Sequence, residues 1–337
     1  MPQRFVDDMV TGVAPGMPER FFDRFMFNLH RGDATAPSII LGIGLYPPRD
    51  VADGFVVLVT ETEQRNLRFA TEMSALRDPT TVGALSWQVV EPSREWRIEL
   101  SANPTGAELD VTWTARTPAW LGEVKVANSG EAPTAFEHLF QSGHYRGVLR
   151  VDGREHDIAG WYGQRDRSRG VRTMTGGQGL HIWCQAQFPD RCIGFLLVET
   201  RGHERMLLEG AVLHTSGELD DIVDVRHDLT FAEGDLRGGR IEVHTVGGAA
   251  YLVDADASAR GGYLAGAGYG GHHGRPRGRD HVEHDVYPLD GTVTPRMLDS
   301  ALTDRLTAFT WAGVAGSGIF EFALTRSSSY TYRPTLV

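Results

Sequence analysis

Between residues 272 and 285 the chain gathers His272, His273, Asp280, His281, Glu283, His284 and Asp285, imidazole and carboxylate groups of the kind that ligate zinc, iron or manganese. A metal-dependent enzyme built on this stretch is therefore one reading. The plainer one is a polar surface loop: Arg275, Arg277 and Arg279 are interspersed and repel a bound cation, and no helical context puts His281 and His284 on one face. No metal is expected. Other short signatures of catalysis are missing, with no GxxxxGKS/T phosphate loop, no GxSxG elbow and no HExxH helix. Gly266, Gly268 and Gly271 match GxGxxG, but His272-His273-Gly274-Arg275-Pro276 follows where a nucleotide-binding helix would have to start, so the match is set aside.

Polar side chains standing alone on apolar strand faces are a second kind of signal. His227 shares one side of an extended run with Val223, Val225, Leu229 and Phe231, so it projects among hydrophobic neighbours if that side faces inward. It reads either as a hydrogen-bonded structural histidine or as a ligand contact. His181, Trp183, Gln185 and Gln187 alternate with Leu180, Ile182, Cys184, Ala186 and Phe188, and this aromatic and amide face either lines a cavity or meets water. Cys184 and Cys192 are too few for a disulfide scaffold and read as a reduced pair.

The most distinctive stretch is Glu137 to Arg172, EHLFQSGHYRGVLRVDGREHDIAGWYGQRDRSRGVR. An extended run, an Asp152-Gly153 turn and a return run lead into Gly160-Trp161-Tyr162-Gly163-Gln164-Arg165-Asp166-Arg167-Ser168-Arg169-Gly170, where aromatic, guanidinium and carboxylate groups crowd together. The segment resembles the signature of the lipocalin-like family that includes carotenoid 1,2-hydratase (hydroxyneurosporene synthase) and the AttH-like proteins, in which a Gly-aromatic stretch leads to Arg-Asp-His-Ser-Trp-Gly. Arg165, Asp166, Ser168 and Gly170 match as they stand. Arg167 replaces the histidine and Arg169 the tryptophan, so the roles of those two side chains do not carry over. Tyr46-Pro47-Pro48 and Gly316-Ser317-Gly318-Ile319-Phe320-Glu321 sit where further counterparts belong.

The resemblance implies an all-β protein of two lipocalin-like antiparallel β-barrel domains packed together, with a largely apolar cavity in or between them. It also implies an enzyme that needs no cofactor and acts on a hydrophobic small molecule, isoprenoid, steroid-like or aromatic. Hydration, dehydration, isomerisation or cyclisation would make it a hydro-lyase (hydratase) or an isomerase/cyclase. Protonating an alkene creates a carbocation, which calls for a carboxylic acid of raised pKa, aromatic faces and controlled entry of water. On that view Asp166 is the acid, His138 and Gln141 position water, and Trp161 and Tyr162 face the cation. Arg165, Ser168, Arg172, Trp183 and His227 are then further substrate contacts. A structural alternative is an Arg165 to Asp166 ion pair that merely pins a junction. The rival from another class is a carrier that binds a hydrophobic ligand without chemistry.

What must position these groups is a chain of short strands. Among 337 residues, 40 Gly and 16 Pro with no Gly-x-y period indicate many tight turns. Trp96, Ile98 and Leu100 alternate with Arg97 and Glu99, and Leu109, Val111 and Trp113 with Asp110 and Thr112, the pattern of half-buried strands. Ser38 to Tyr46, Leu85 to Val90, Leu180 to Phe188 and Ile193 to Thr200 are among the further strands expected. Helix is left open only at Glu19 to Leu29 and Thr303 to Ala308. The length suits two domains, placed at 1–145 and 146–337 because the strand pattern restarts after Ser129-Gly130-Glu131-Ala132-Pro133. A charge of 33 − 44 = −11 disfavours nucleic acid, which needs a clustered basic surface. No apolar run approaches the ~18 residues of a membrane span, and Met1 to Val13 lacks a secretory signal pattern, so no integral membrane association and a cytoplasmic location are expected. A homodimer is compatible with this composition.

Overall fold

A computed structural model describes residues 4–126, 134–172 and 177–336. The Ser129 to Pro133 stretch lies outside them. Among the described residues the protein is almost entirely antiparallel β, with one α-helical turn at Arg4–Asp7 (α1) and two 3-10 turns at Pro47–Arg49 and Met73–Ala75. The first part of the chain forms β1 (Phe21–Leu29), β2 (Ser38–Tyr46), β3 (Val51–Val59), β4 (Glu63–Glu72), β5 (Thr81–Val82), β6 (Leu85–Glu91), β7 (Glu95–Leu100), β8 (Ala107–Ala115), β9 (Trp120–Val126), β10 (Thr134–Val151), β11 (Arg154–Asp157) and β12 (Tyr162–Val171). Then come β13 (Gln178–Phe188), β14 (Arg191–Thr200), β15 (Arg205–His214), β16 (Leu219–Ala232), β17 (Asp235–Thr245), β18 (Ala250–Asp256), β19 (His281–Pro288), β20 (Thr303–Trp311) and β21 (Val314–Leu324).

Two lipocalin-like sheets result. One is a half-barrel in the order β19-β4-β3-β2-β1-β12-β10-β8-β7-β6-β5, with β9 and β11 also paired to β10. The other is a closed barrel, β13-β14-β15-β16-β17-β18-β20-β21. The chain passes from one sheet to the other between Val171 and Gln178, and β10 runs unbroken through residue 145.

Alternation explains the outer strands. In β7, Trp96, Ile98 and Leu100 are buried while Arg97 is exposed, so each pleat sorts one face to the core and one to water. The Asp152-Gly153 turn joins β10 to β11 with Val151 opposite Arg154, and the two turn residues take φ of 51° and 78°, the positive pair a type I′ hairpin requires.

The central strands are buried on both faces. In β2, Ile39, Leu41, Ile43 and Leu45 join the core inside the half-barrel, whereas Ile40 joins a second cluster between the two sheets. In β13, Leu180, Ile182, Cys184, Ala186 and Phe188 fill the closed barrel, and Trp183 faces the half-barrel. Met26, Phe55, Val57, Trp120 and Phe140 meet Trp183, Cys192, Leu196, Val198, Ala211 and Leu213 across this seam. An apolar contact of this kind holds the sheets as one body.

Burial on both faces also accounts for the two segments left open as helix. Glu19 to Leu29 contains β1, and Thr303 to Ala308 begins β20. Nearly every residue of each is buried, so no two-residue period survives in the sequence. The polar stretch read as a loop likewise contains a strand: β19 returns from the barrel side and pairs with β4 at the half-barrel edge. Its pattern is inverted, with Val282 and Val286 exposed and Glu283 and Asp285 turned in toward Arg68.

The interior of the half-barrel is packed. The cavity among Phe25, Phe27, Leu41, Trp87 and Ile98 inside the half-barrel measures about 10 Å³, room for one water at most. An apolar container for a large ligand, expected inside a barrel, is not what this interior offers.

Candidate active site

The polar groups gather at the seam. On β10, residues at even positions from Phe136 to Phe140 face the closed barrel, and the register pairs Phe140 with Asp166 and His138 with Ser168 of β12 on the same face. His138 is held at both ring nitrogens: Nε2 lies 2.7 Å from Asp166 Oδ2, and Nδ1 lies 2.5 Å from Glu209 Oε1, which β15 supplies from the other sheet. Burial alone would lower the histidine pKa, but Glu209 and Asp166 reverse that and push it up to about 10. Both nitrogens therefore donate, and His138 is an imidazolium at neutral pH. Trp183 lies 6.1 Å from its ring and Trp120 lies edge-on at 6.2 Å.

A second acid pair comes from the barrel. Asp304 of β20 and Glu321 of β21 are cross-strand partners and both are buried. Burial first, and then the Glu321 carboxylate, hold Asp304 well above the usual carboxylate range, with Asp166 adding to the effect. Burial would raise Glu321 too, but His181, 2.7 Å from its Oε1, Asp304 and Arg172 together bring it down. Burial beside a second carboxylate thus favours the protonated form of Asp304.

Arg24, Arg172 and Tyr269 complete the surroundings. Arg24 lies 4.8 Å over the Tyr269 ring and 3.2 Å from His273 Nε2. Burial, and then the Arg24 charge, lowers His273 to about 4, so its neutral ring accepts from Arg24. Gly44 is needed here, since a Cβ would stand 2.6 Å from both Asp53 Oδ1 and the Tyr46 hydroxyl. Beside His273 a cleft of about 500 Å³ opens at Glu19, Arg49, Gly274 and Arg275.

A family model described as a family of unknown function (DUF8625) matches residues 9–330. The chain belongs to that family. No curated protein matches this DUF8625 chain at a significant level. Among solved structures, a protein described as AttH from Nitrosomonas europaea shares the fold, with a TM-score of 0.59 at 13% identity over 98% of this chain and 97% of that one. Kievitone hydratase from Nectria haematococca superposes more loosely, with a TM-score of 0.49 at 12% identity over 94% of each chain. CghA gives 0.47 at 10% over 95% of this chain and 96% of that one. At such identities the likeness to AttH establishes the fold of the DUF8625 protein alone.

Of the residues singled out in the sequence, the DUF8625 fold brings His138, Asp166, Ser168, Arg172 and Trp183 to the seam. Arg165 and Gln141 face the opposite way, into the half-barrel. Arg165 binds Asp7 at 2.8 Å and Gln141 Oε1 at 3.0 Å and lies over Trp96, with burial pulling its pKa down to about 10. The expected Arg165 to Asp166 pair does not form, because consecutive residues on a strand point to opposite faces. Gln141 is saturated by the carbonyls of Ser93 and Thr117. Trp161 packs in the half-barrel core, and Tyr162 stacks on His144 at 5.0 Å under Arg116. His227 is buried in the barrel wall, 2.8 Å from the Tyr332 hydroxyl and 3.2 Å from Glu199.

The histidine-rich stretch of this DUF8625 protein diverges. His273 turns to Arg24 and Asp53, His272 and His281 reach Glu283, and His284 is exposed on the other face of β19. Arg68 and Arg277 take up the carboxylates of Glu283 and Asp285, and among the described residues no three acidic, histidine or cysteine side chains converge as metal ligands do. Among the described residues, no helix is long and apolar enough to cross a membrane.

Glu209, Asp304, Glu321 and Arg24 were not singled out as site residues. Arg24 stands beside Asp23 and Asp304 beside Arg305, whereas Glu209 and Glu321 are lone charges inside apolar runs, Leu207-Leu208-Glu209-Gly210-Ala211-Val212 and Ile319-Phe320-Glu321-Phe322. That isolation is the signal that would have found the two glutamates.

Proposed function

We propose that the protein is an enzyme that carries out cofactor-independent acid–base chemistry on a hydrophobic small molecule bound at the seam, by hydration, dehydration, isomerisation or cyclisation. The observation that carries this reading is the buried cluster at the seam, in which Asp166 and Glu209 hold His138 at both ring nitrogens while Asp304, held well above the usual carboxylate range by burial, stands opposite Glu321 within electrostatic reach of Asp166. Asp304 is the acid that protonates an alkene or an enol. Asp166, with His138 fixing its orientation, faces the developing cation and takes up the proton that is lost. Glu209 and His181 are positioning residues. Trp183 and Trp120 offer the aromatic faces that such a cation needs, and the Trp183 indole Nε1 has no hydrogen-bond partner among the described residues.

The test is uptake of deuterium from D2O by a panel of isoprenoid and aromatic alkenes. Wild type is expected to label or convert at least one member. Asp304→Asn and Asp166→Asn should each lower that rate by about 100-fold, the usual worth of a positioned acid or base. Unchanged rates in both variants, or no labelling by wild type across the panel, would sink the reading and leave a carrier, which has no use for a buried proton.

A further inference from the structure

Arg172 is a charge beside the seam that the chemistry above does not use. It directly follows the last residue of β12, is exposed to solvent, and among the described residues has no ion-pair partner. Its guanidinium carbon sits 4.6 Å from the Phe136 ring centroid and 5.3 Å from that of Phe22. Two ring faces soften the cost of enclosing a cation but satisfy none of its five N–H donors. Arg24 adds a second positive charge nearby, close enough for each to be felt, and it is surrounded by Tyr269, Asp53 and the neutral ring of His273. Beside Arg172 lies an apolar cluster, the buried Phe22, Tyr46, Val51, Val124 and Phe136 of the half-barrel with the half-buried Leu207 of the barrel packed against them.

Two cations beside an apolar cluster, with His273 next to Arg24 lining a neighbouring cleft, describe a receptor for an amphiphile. We infer that the seam takes a small molecule with a carboxylate at one end, held between Arg172 and Arg24, and an apolar body laid along Phe22, Phe136 and Leu207 toward Asp166. A carboxylate fits better than a phosphate, because Asp166 and Glu321 already lie within electrostatic reach of Arg172 and would repel a doubly charged group. The planar, bidentate donors of a guanidinium also match a carboxylate. This rests on the seam being the substrate site, and it names the class of that substrate.

Calorimetric titration of the whole protein with four acids, octanoate, dodecanoate, geranate and 4-phenylbutyrate, and with their methyl esters, tests it without requiring turnover. Wild type should bind at least one acid ten times more tightly than its ester. Arg172→Met should abolish that preference while leaving ester affinity within about twofold, and Arg24→Met should reduce it. Equal affinity for every acid and its ester, no measurable binding of any acid, or a preference that survives both substitutions overturns the inference. The wild-type acid-to-ester ratio stands even where a variant fails to fold. An acid preference without deuterium uptake removes the catalytic reading and keeps this one, whereas deuterium uptake without the preference does the reverse.

Discussion

His138 of β10 and Glu209 of β15 meet at 2.5 Å across the seam, so this hydrogen bond, like those of Ser142 to Gln187 and Trp120 to Asp221, ties the half-barrel to the closed barrel. The same imidazole reaches Asp166 at 2.7 Å, and both bonds need both ring protons. Two carboxylates lift His138 from the usual 6.5 to about 10 against the opposing effect of burial. A group whose folded pKa is raised contributes stability that is complete below its unfolded value and vanishes as the pH climbs through its folded one. The melting temperature should therefore fall between pH 6.5 and 10, by the equivalent of a few kcal/mol, and scanning calorimetry should find a much flatter profile in His138→Gln. Parallel profiles for the two proteins would contradict the double ion pair.

On the acid side other histidines govern. His30, lowered by burial, and His273, lowered by burial and by Arg24, both stand at about 4. Here the folded value is depressed, so the contribution is complete above 6.5 and is lost as the pH drops toward 4. Urea midpoints should decline over that interval, and His30→Gln should remove part of the decline. A midpoint as steeply pH-dependent in the variant as in wild type would assign the effect elsewhere.

Asp23 and Arg167 form a pair with no exposed side-chain surface, 2.8 Å apart, and Arg167 also lies 4.2 Å over Phe25 and donates to the carbonyls of Phe5 and Asp8. Removing the carboxylate strands a buried cation. Asp23→Ala should cost about 3–5 kcal/mol in equilibrium unfolding. Glu99→Ala, which breaks the half-exposed pair with Arg97, should cost less than about 1 kcal/mol. Similar losses at the two sites would mean that burial does not set the difference.

Arg68 clamps the returning strand β19, through Asp285 at 2.9 Å and Glu283 at 3.3 Å, and reaches the Gly266 carbonyl at 2.7 Å. With its valines facing water, β19 has little apolar surface to hold it to the sheet. Arg68→Ala should speed hydrogen exchange in 281–288 by tenfold or more while leaving β2 and β13 protected. Exchange unchanged in that segment would show that pairing with β4 suffices.

Much of this architecture is legible without coordinates. Alternation in β7 and β8 and the Asp152-Gly153 hairpin follow from side-chain period and turn chemistry, because strands half exposed to water must sort their residues, and β2 is legible as a continuous apolar run that ends at Pro47. A seam histidine, His138, an acid, Asp166, and Trp183 were also named from the sequence. Their company was not: Glu209 lies 71 residues from His138, and only the docking of barrel on half-barrel brings it there. Parity along β12 tells that Arg165 and Asp166 face apart, yet both faces of that strand are covered, one by a core and one by the seam. Composition cannot distinguish two buried faces, so tertiary packing alone decided that Asp166 joins the site and Arg165 the scaffold.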